Sequence, residues 1–193
     1  MEHRNPTSRL SALAGFILIV LLTTNCEQKS EYQKLVDQEL RSGVRNDSLF
    51  LGYYFGMTRD EFYEISWALN KEGTLVNGAG AEVVEYLDNL KFAATRAFYP
   101  EFKEEKIVQI PVVYSYNGWS PWNRQTFSDS LILDLKNQLT DEFGGQFLAK
   151  FDSTSGTNTY VQVQGNREIR LTESSESKVT VLFTDLTQIT MEF

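Results

Sequence analysis

Two amphipathic helical stretches, each closed by glycine and each followed by a train of short β-patterned runs, constrain this chain more than any other feature. Thr58 stands three residues before Glu61, the spacing of a capping box, and Asp60 suits the positive end of a helix. The helix predicted from there runs to about Glu72, with Phe62, Ile65, Ser66 and Leu69 on one face and Gly73 placed to end it in a left-handed turn. A second helix is predicted over Phe127–Phe143, where Leu131, Leu135, Leu139 and Phe143 recur every fourth residue before Gly144 and Gly145 stop it.

After the first helix, Val83–Leu87, Phe92–Tyr99 and Ile107–Tyr116 read as strands of a meander, broken at Asp88-Asn89 and Pro100. The alanines, glutamate and leucines of 81–98 also tolerate a helix. After the second come Phe147–Phe151, Thr159–Gln164, Arg167–Thr172 and Lys178–Phe183, with hairpin turns at Gly165-Asn166 and Ser174–Ser177 and a short last strand over Gln188–Phe193. The expected fold is α+β: an antiparallel sheet of about six to eight strands in two meanders, with two main helices packed on one face.

At 193 residues, 41% hydrophobic and 23% charged, the chain holds enough apolar material for one folded domain, expected over 48–193. Its formal charge of −8 repels phosphate backbones and argues against nucleic acid as a partner. Ahead of this domain, residues 26–47 are polar except for a short helical pattern, Glu31–Arg41, in which Tyr32, Leu35, Val36 and Leu40 share a face. This is read as a tether with a docking helix; the alternative is an amphipathic helix for a partner.

Residues 1–25 read as an export signal. Arg4 and Arg9 precede an apolar or small run, Leu10–Leu22, too short to span a bilayer but suited to a signal-peptide core. Cys26 follows directly, and the leader resembles those of bacterial lipoproteins, in which such a cysteine is acylated and becomes the mature N-terminus. Thr23 and Asn25 stand where that pattern prefers an aliphatic and a small residue, a looseness similar to the lipoproteins of Bacteroidota. A plain secretory leader and an uncleaved anchor are the alternatives. The resemblance implies a lipid such as palmitate on Cys26, a membrane as the first partner, and a place in the bacterial cell envelope, at the periplasmic or surface face of the outer membrane. Cleavage before Cys26 would remove Glu2, His3, Arg4 and Arg9, leaving 16 basic against 25 acidic residues, a charge of −9. The remainder would lack histidine and any free thiol, and with them disulfides, cysteine nucleophiles, Ser-His-Asp triads and zinc sites built on His or Cys.

Five segments together, 51–63 (LGYYFGMTRDEFY), 67–71 (WALNK), Phe98-Tyr99-Pro100, 120–123 (SPWN) and 181–186 (VLFTDL), resemble a family of lipid-anchored exported proteins of Bacteroidota that brings no known activity. The Gly-Met-Thr-x-x-Glu-Phe step at 56–62 is similar to the strand-to-helix entry of SmpA/OmlA lipoproteins and of beta-lactamase-inhibitor-like folds, a resemblance that implies protein binding. Asp47-Ser48-Leu49, Asp129-Ser130-Leu131 and Asp152-Ser153-Thr154 look like the three-residue signal that Bacteroidota O-glycosylate, which makes Ser48, Ser130 and Ser153 candidate modification sites.

The most site-like group is Tyr114, Tyr116, Trp119 and Trp122 with Asn123 and Arg124. Indole faces stack on sugar rings or apolar side chains while amide and guanidinium groups hydrogen-bond hydroxyls or carbonyls. The competing reading has the two tryptophans plugging the gap where a strand crosses to a helix, and exposure decides between them. No cofactor or metal motif is present in the sequence, and no catalytic residue is assigned. The functional expectation is a membrane-tethered, non-catalytic binding or envelope-assembly module with a protein or glycan partner; the alternative is a carboxylate-based glycan hydrolase.

Overall fold

The computed structural model describes residues 29–152 and 157–189. Three α-helices and nine strands form an α+β fold among them: α1 (Glu31–Ser42), α2 (Arg59–Lys71), β1 (Leu75–Asn77), β2 (Val83–Leu87), β3 (Ala94–Phe98), β4 (Glu101–Lys103), β5 (Lys106–Tyr116), α3 (Ser128–Phe143), β6 (Leu148–Asp152), β7 (Thr157–Gln164), β8 (Arg167–Ser175) and β9 (Lys178–Asp185). All pairings are antiparallel. The sheet runs β1-β2-β3-β5-β9-β8-β7-β6, with β4 pairing β5 off that path. The two meanders therefore join at β5–β9.

The caps behave as their residue types dictate. Thr58 Oγ1 accepts the Glu61 N–H, while the Glu61 carboxylate accepts the Thr58 N–H at 2.8 Å. Gly73 leaves α2 with φ +79, and Gly144 and Gly145 leave α3 with φ +71 and +74.

One face of the sheet carries the main core. Ile110, Val112 and Tyr114 of β5 stand opposite Phe183, Val181 and Val179 of β9, and Phe62 of α2 and Leu131, Leu135 and Leu139 of α3 pack into the same cluster. Period-two alternation puts all these strand residues on one side. The loop between α1 and α2 drives Phe50, Tyr53, Phe55 and Met57 into this layer, where Phe50 meets Phe98 edge-on at 5.0 Å. Both main helices thus lie on the same face.

The structure adds three particulars to the expected pattern. β1 and β4 are three residues long, too short to show a period, and exist because β2 and β5 offer them a register. Gln188 and Ile189 are turn and bend rather than strand, and the rest of that expected strand lies outside the described residues. Helix α1 packs on the opposite face: Val36 meets Val161, Val163 and Leu186 in a second, smaller cluster, with Tyr32, Leu35 and Leu40 around it. The Tyr32 hydroxyl donates to the buried Glu168 carboxylate, which also pairs with Arg170 at 2.8 Å. Burial and the neighbouring Glu168 carboxylate push the Tyr32 phenol above its ordinary range. Among the described residues no helix is long and apolar enough to cross a membrane. Residues 1–25 and Cys26 lie outside the described residues.

Candidate functional site

Tyr114 and Tyr116 alternate onto the core side of β5, and both are buried. Tyr114 lies opposite Arg96 of β3, and burial raises its phenol pKa against the pull of that guanidinium. Arg96 is itself held by Glu85 from β2 and lies 4.3 Å from the centre of the Phe50 ring. The Tyr116 hydroxyl donates to Asp134 of α3 at 2.9 Å, its ring takes Phe92 edge-on, and burial with the Asp134 carboxylate holds its phenol well above the usual range. Tyr116 thereby ties α3 to the sheet, while Tyr114 is held within it.

Trp119 is half-buried against Phe127, ring centres 5.8 Å apart, and its indole N–H is buried with no hydrogen-bond partner among the described residues. Trp122 is 88% exposed. Asn123 is exposed, and its carbonyl accepts the Thr126 N–H and hydroxyl. Arg124 is exposed too; it pairs with Asp129 at 2.7 Å and covers the Phe127 ring. The aromatic group is therefore divided: two tyrosines in the core, one tryptophan as a wedge, and Trp122 outside.

A hollow of about 360 Å³ beside this loop is walled by Arg124, Phe127, Ser128 and Glu173. Its polar groups serve the start of α3: Ser128 Oγ donates to Glu173 at 2.8 Å and the Ser128 N–H to the Glu176 carbonyl at 2.9 Å. Ser48 is exposed, although Asp47 beside it is committed to Arg45 and Asn166. Burial opposes the Asp47 charge, yet those partners outweigh it and hold its carboxyl below the ordinary range. Ser130 is half-buried in the first turn of α3, and Ser153 lies outside the described residues.

A second recess lies between α2 and the β1–β2 hairpin. It measures about 290 Å³ and is walled by Tyr63, Trp67 and Asn70 of α2, Leu75 and Asn77 of β1, and Val83 of β2. Phe62 and Ser66 turn α2 toward the core, so Tyr63 and Trp67, one position on and four apart, emerge 47% and 64% exposed. Each is held. The Tyr63 hydroxyl lies 2.8 Å from that of Tyr99, which accepts a further bond from Arg59 at 3.1 Å. The Lys71 ammonium sits 3.4 Å from the Trp67 ring centre. Asn70 Nδ2 donates to the Leu75 carbonyl at 2.9 Å, joining helix to strand. Fixed aromatic faces beside amides are suited to holding a ligand without a change of shape.

Sequence reasoning passed over this group because its residues come from three elements. The available signal was the aromatic pair at i and i+4 on α2, flanking its buried stripe. Comparison of the chain with family models, with curated proteins and with solved structures finds no match.

Proposed function

We propose that this protein is a membrane-tethered binding or assembly module of the bacterial cell envelope, anchored through lipid on Cys26, that holds a protein or glycan partner and performs no chemistry on it. The observation that carries the reading is the recess beside α2, where Tyr63 and Trp67 are exposed yet fixed by Tyr99 and Lys71. Large exposed aromatics held in place lose little freedom on binding, which is what a recognition surface requires. The tether is supported by Cys26 at the end of an apolar leader, a few residues ahead of α1.

Two measurements test it. Cells fed labelled palmitate should label the protein, and Cys26→Ser should abolish the label; labelling that survives this change removes the anchor. Arrays of linear peptides and of neutral oligosaccharides should yield a binder lost on Trp67→Ala; silence on both arrays removes the binding role.

A second reading, glycan hydrolysis, draws on Glu142. Desolvation holds its carboxyl above the usual range against the pull of Arg96 and Arg167, with Glu85 adding to the rise. A carboxyl with a raised pKa is one of the two that an acid–base hydrolase uses. It predicts release of reducing ends from envelope glycans, abolished by Glu142→Gln.

A further inference from the structure

Trp122 stands at the third position of a tight turn. The Asn123 N–H donates to the Ser120 carbonyl at 3.0 Å, closing the turn over Pro121 and Trp122, and the proline ring stiffens it. The Thr126 N–H and hydroxyl fasten the next turn to the Asn123 carbonyl. The Trp122 ring is thus carried on a fixed support, yet it is exposed and forms no wall of the hollow beside the loop. Residues 117–123 carry no charge.

The loop and the start of α1 belong to the same end of the sheet. Tyr114 of β5 stands opposite Val179 of β9, so β5 delivers the loop beside the turn from β8 into β9, and the Ser128 N–H ties the two through the Glu176 carbonyl. Helix α1 runs the other way, toward the β7–β8 turn: Tyr32 at its start meets Glu168 and Arg170, while Glu39 near its end accepts the Gly165 N–H. The start of α1 therefore points toward the end that carries Trp122. Tyr86, a second exposed ring, is nearby on β2, in one cross-strand row with Thr95 and Ser115.

We infer that the 117–123 loop is a membrane-contact site, with the Trp122 indole in the interfacial layer of the lipid bilayer to which Cys26 tethers the chain. The inference rests on the tether proposed above and adds to it the surface that meets the lipid. The occupant follows from reach and shape. Cys26 stands six residues before Tyr32, at most about 20 Å of extended chain, so an acylated Cys26 keeps a bilayer within a short distance of this end. A lone ring between the exposed Pro121 and Asn123 lacks the packed surround through which an aromatic residue anchors a protein partner. A fluid interface needs no matching shape and takes an indole with its apolar body immersed and its N–H wet. Lipid and ring together would hold the β8–β9 turn toward the bilayer and the β7–β8 turn away from it.

The test uses the protein purified from host membranes and reconstituted in phosphatidylcholine vesicles, with and without bromine on the acyl chains. Comparison of the native protein with Trp122→Phe isolates the Trp122 emission from that of Trp67 and Trp119. That emission should shift to the blue with vesicles, be quenched by brominated lipid and gain protection from aqueous acrylamide, and the lipid quenching should be lost in Trp122→Phe. If the purified chain carries no acyl group, a maleimide phospholipid coupled to Cys26, its one thiol, supplies the anchor, so quenching still decides the loop. Lipid quenching that survives Trp122→Phe, or acrylamide access unchanged by vesicles, overturns the contact; an acylated chain giving either result keeps its tether. An unacylated chain whose Trp122 is quenched once anchored removes the natural tether and supports the contact. Acrylamide protection of Trp122 without vesicles, with a doubled polypeptide mass in sedimentation, overturns the bilayer in favour of a second copy.

Discussion

The Tyr53 hydroxyl lies 2.8 Å from Ser66 Oγ inside the core, and Ser66 spends its own proton on the Phe62 carbonyl at 2.7 Å. A serine hydroxyl has one proton, so Tyr53 is the donor of the pair. This explains a buried serine on the apolar stripe of α2: it accepts the polar end of a ring otherwise packed on Phe62 and Phe98. Ser66→Ala should strand the Tyr53 O–H and cost about 1–3 kcal/mol. Tyr53→Phe leaves only an acceptor unmet and should cost less. Urea unfolding of the two variants checks the order; equal losses would remove the assignment of donor.

The capping box makes a pH prediction. Backbone and hydroxyl donors of Thr58 hold the Glu61 carboxyl below its ordinary range. A depressed carboxyl contributes stability above the unfolded value of about 4.3, and that contribution is lost as pH falls through the lower folded value. The advantage of the native protein over Glu61→Gln at pH 7 should therefore vanish in acid below that window. Thr58→Ala should cost about 1 kcal/mol at neutral pH, read from the denaturation midpoint.

Glu142 behaves in the opposite sense. It is the penultimate residue of α3, at the negative end of the helix, and desolvation raises its pKa. The fold favours the neutral form of such a carboxyl more than the unfolded chain does, so stability falls as pH rises through the window between the unfolded and folded values. Glu142→Gln should raise the thermal midpoint at pH 7, and the gain should disappear below about pH 4. A gain that persists in acid would point to packing instead of charge.

Gly165 ties the segment after α1 to the β7–β8 hairpin. It has φ +58, and a Cβ there would stand 2.3 Å from the Val44 carbonyl oxygen. Its N–H donates to Glu39 at 2.8 Å. Gly165→Ala should combine backbone strain with a backbone clash and cost about 2 kcal/mol or more. Hydrogen exchange should accelerate in α1 before the central strands, because α1 rests on a small cluster of its own. Uniform acceleration would show that α1 is part of the global unit.

Features that act over a few residues were legible in the sequence. Thr58, Glu61 and Gly73 bound α2, Gly144 and Gly145 end α3, and Gly165-Asn166 turns the hairpin, because caps and turns satisfy backbone groups within four residues of themselves. The apolar run through 107–116 likewise marked a strand, but Tyr114 and Tyr116, offered by the sequence as binding candidates, are buried on its inner face. Tertiary structure alone decided the rest. β1 and β4 owe their existence to neighbouring strands, α1 took the far side of the sheet to cover Val161 and Val163, and Trp122 was left outside while Tyr63 and Trp67 came to face Asn77. Periodicity says which side of an element is apolar, but which surfaces meet depends on strand order and register, and those are settled only when distant segments compete to bury the same area.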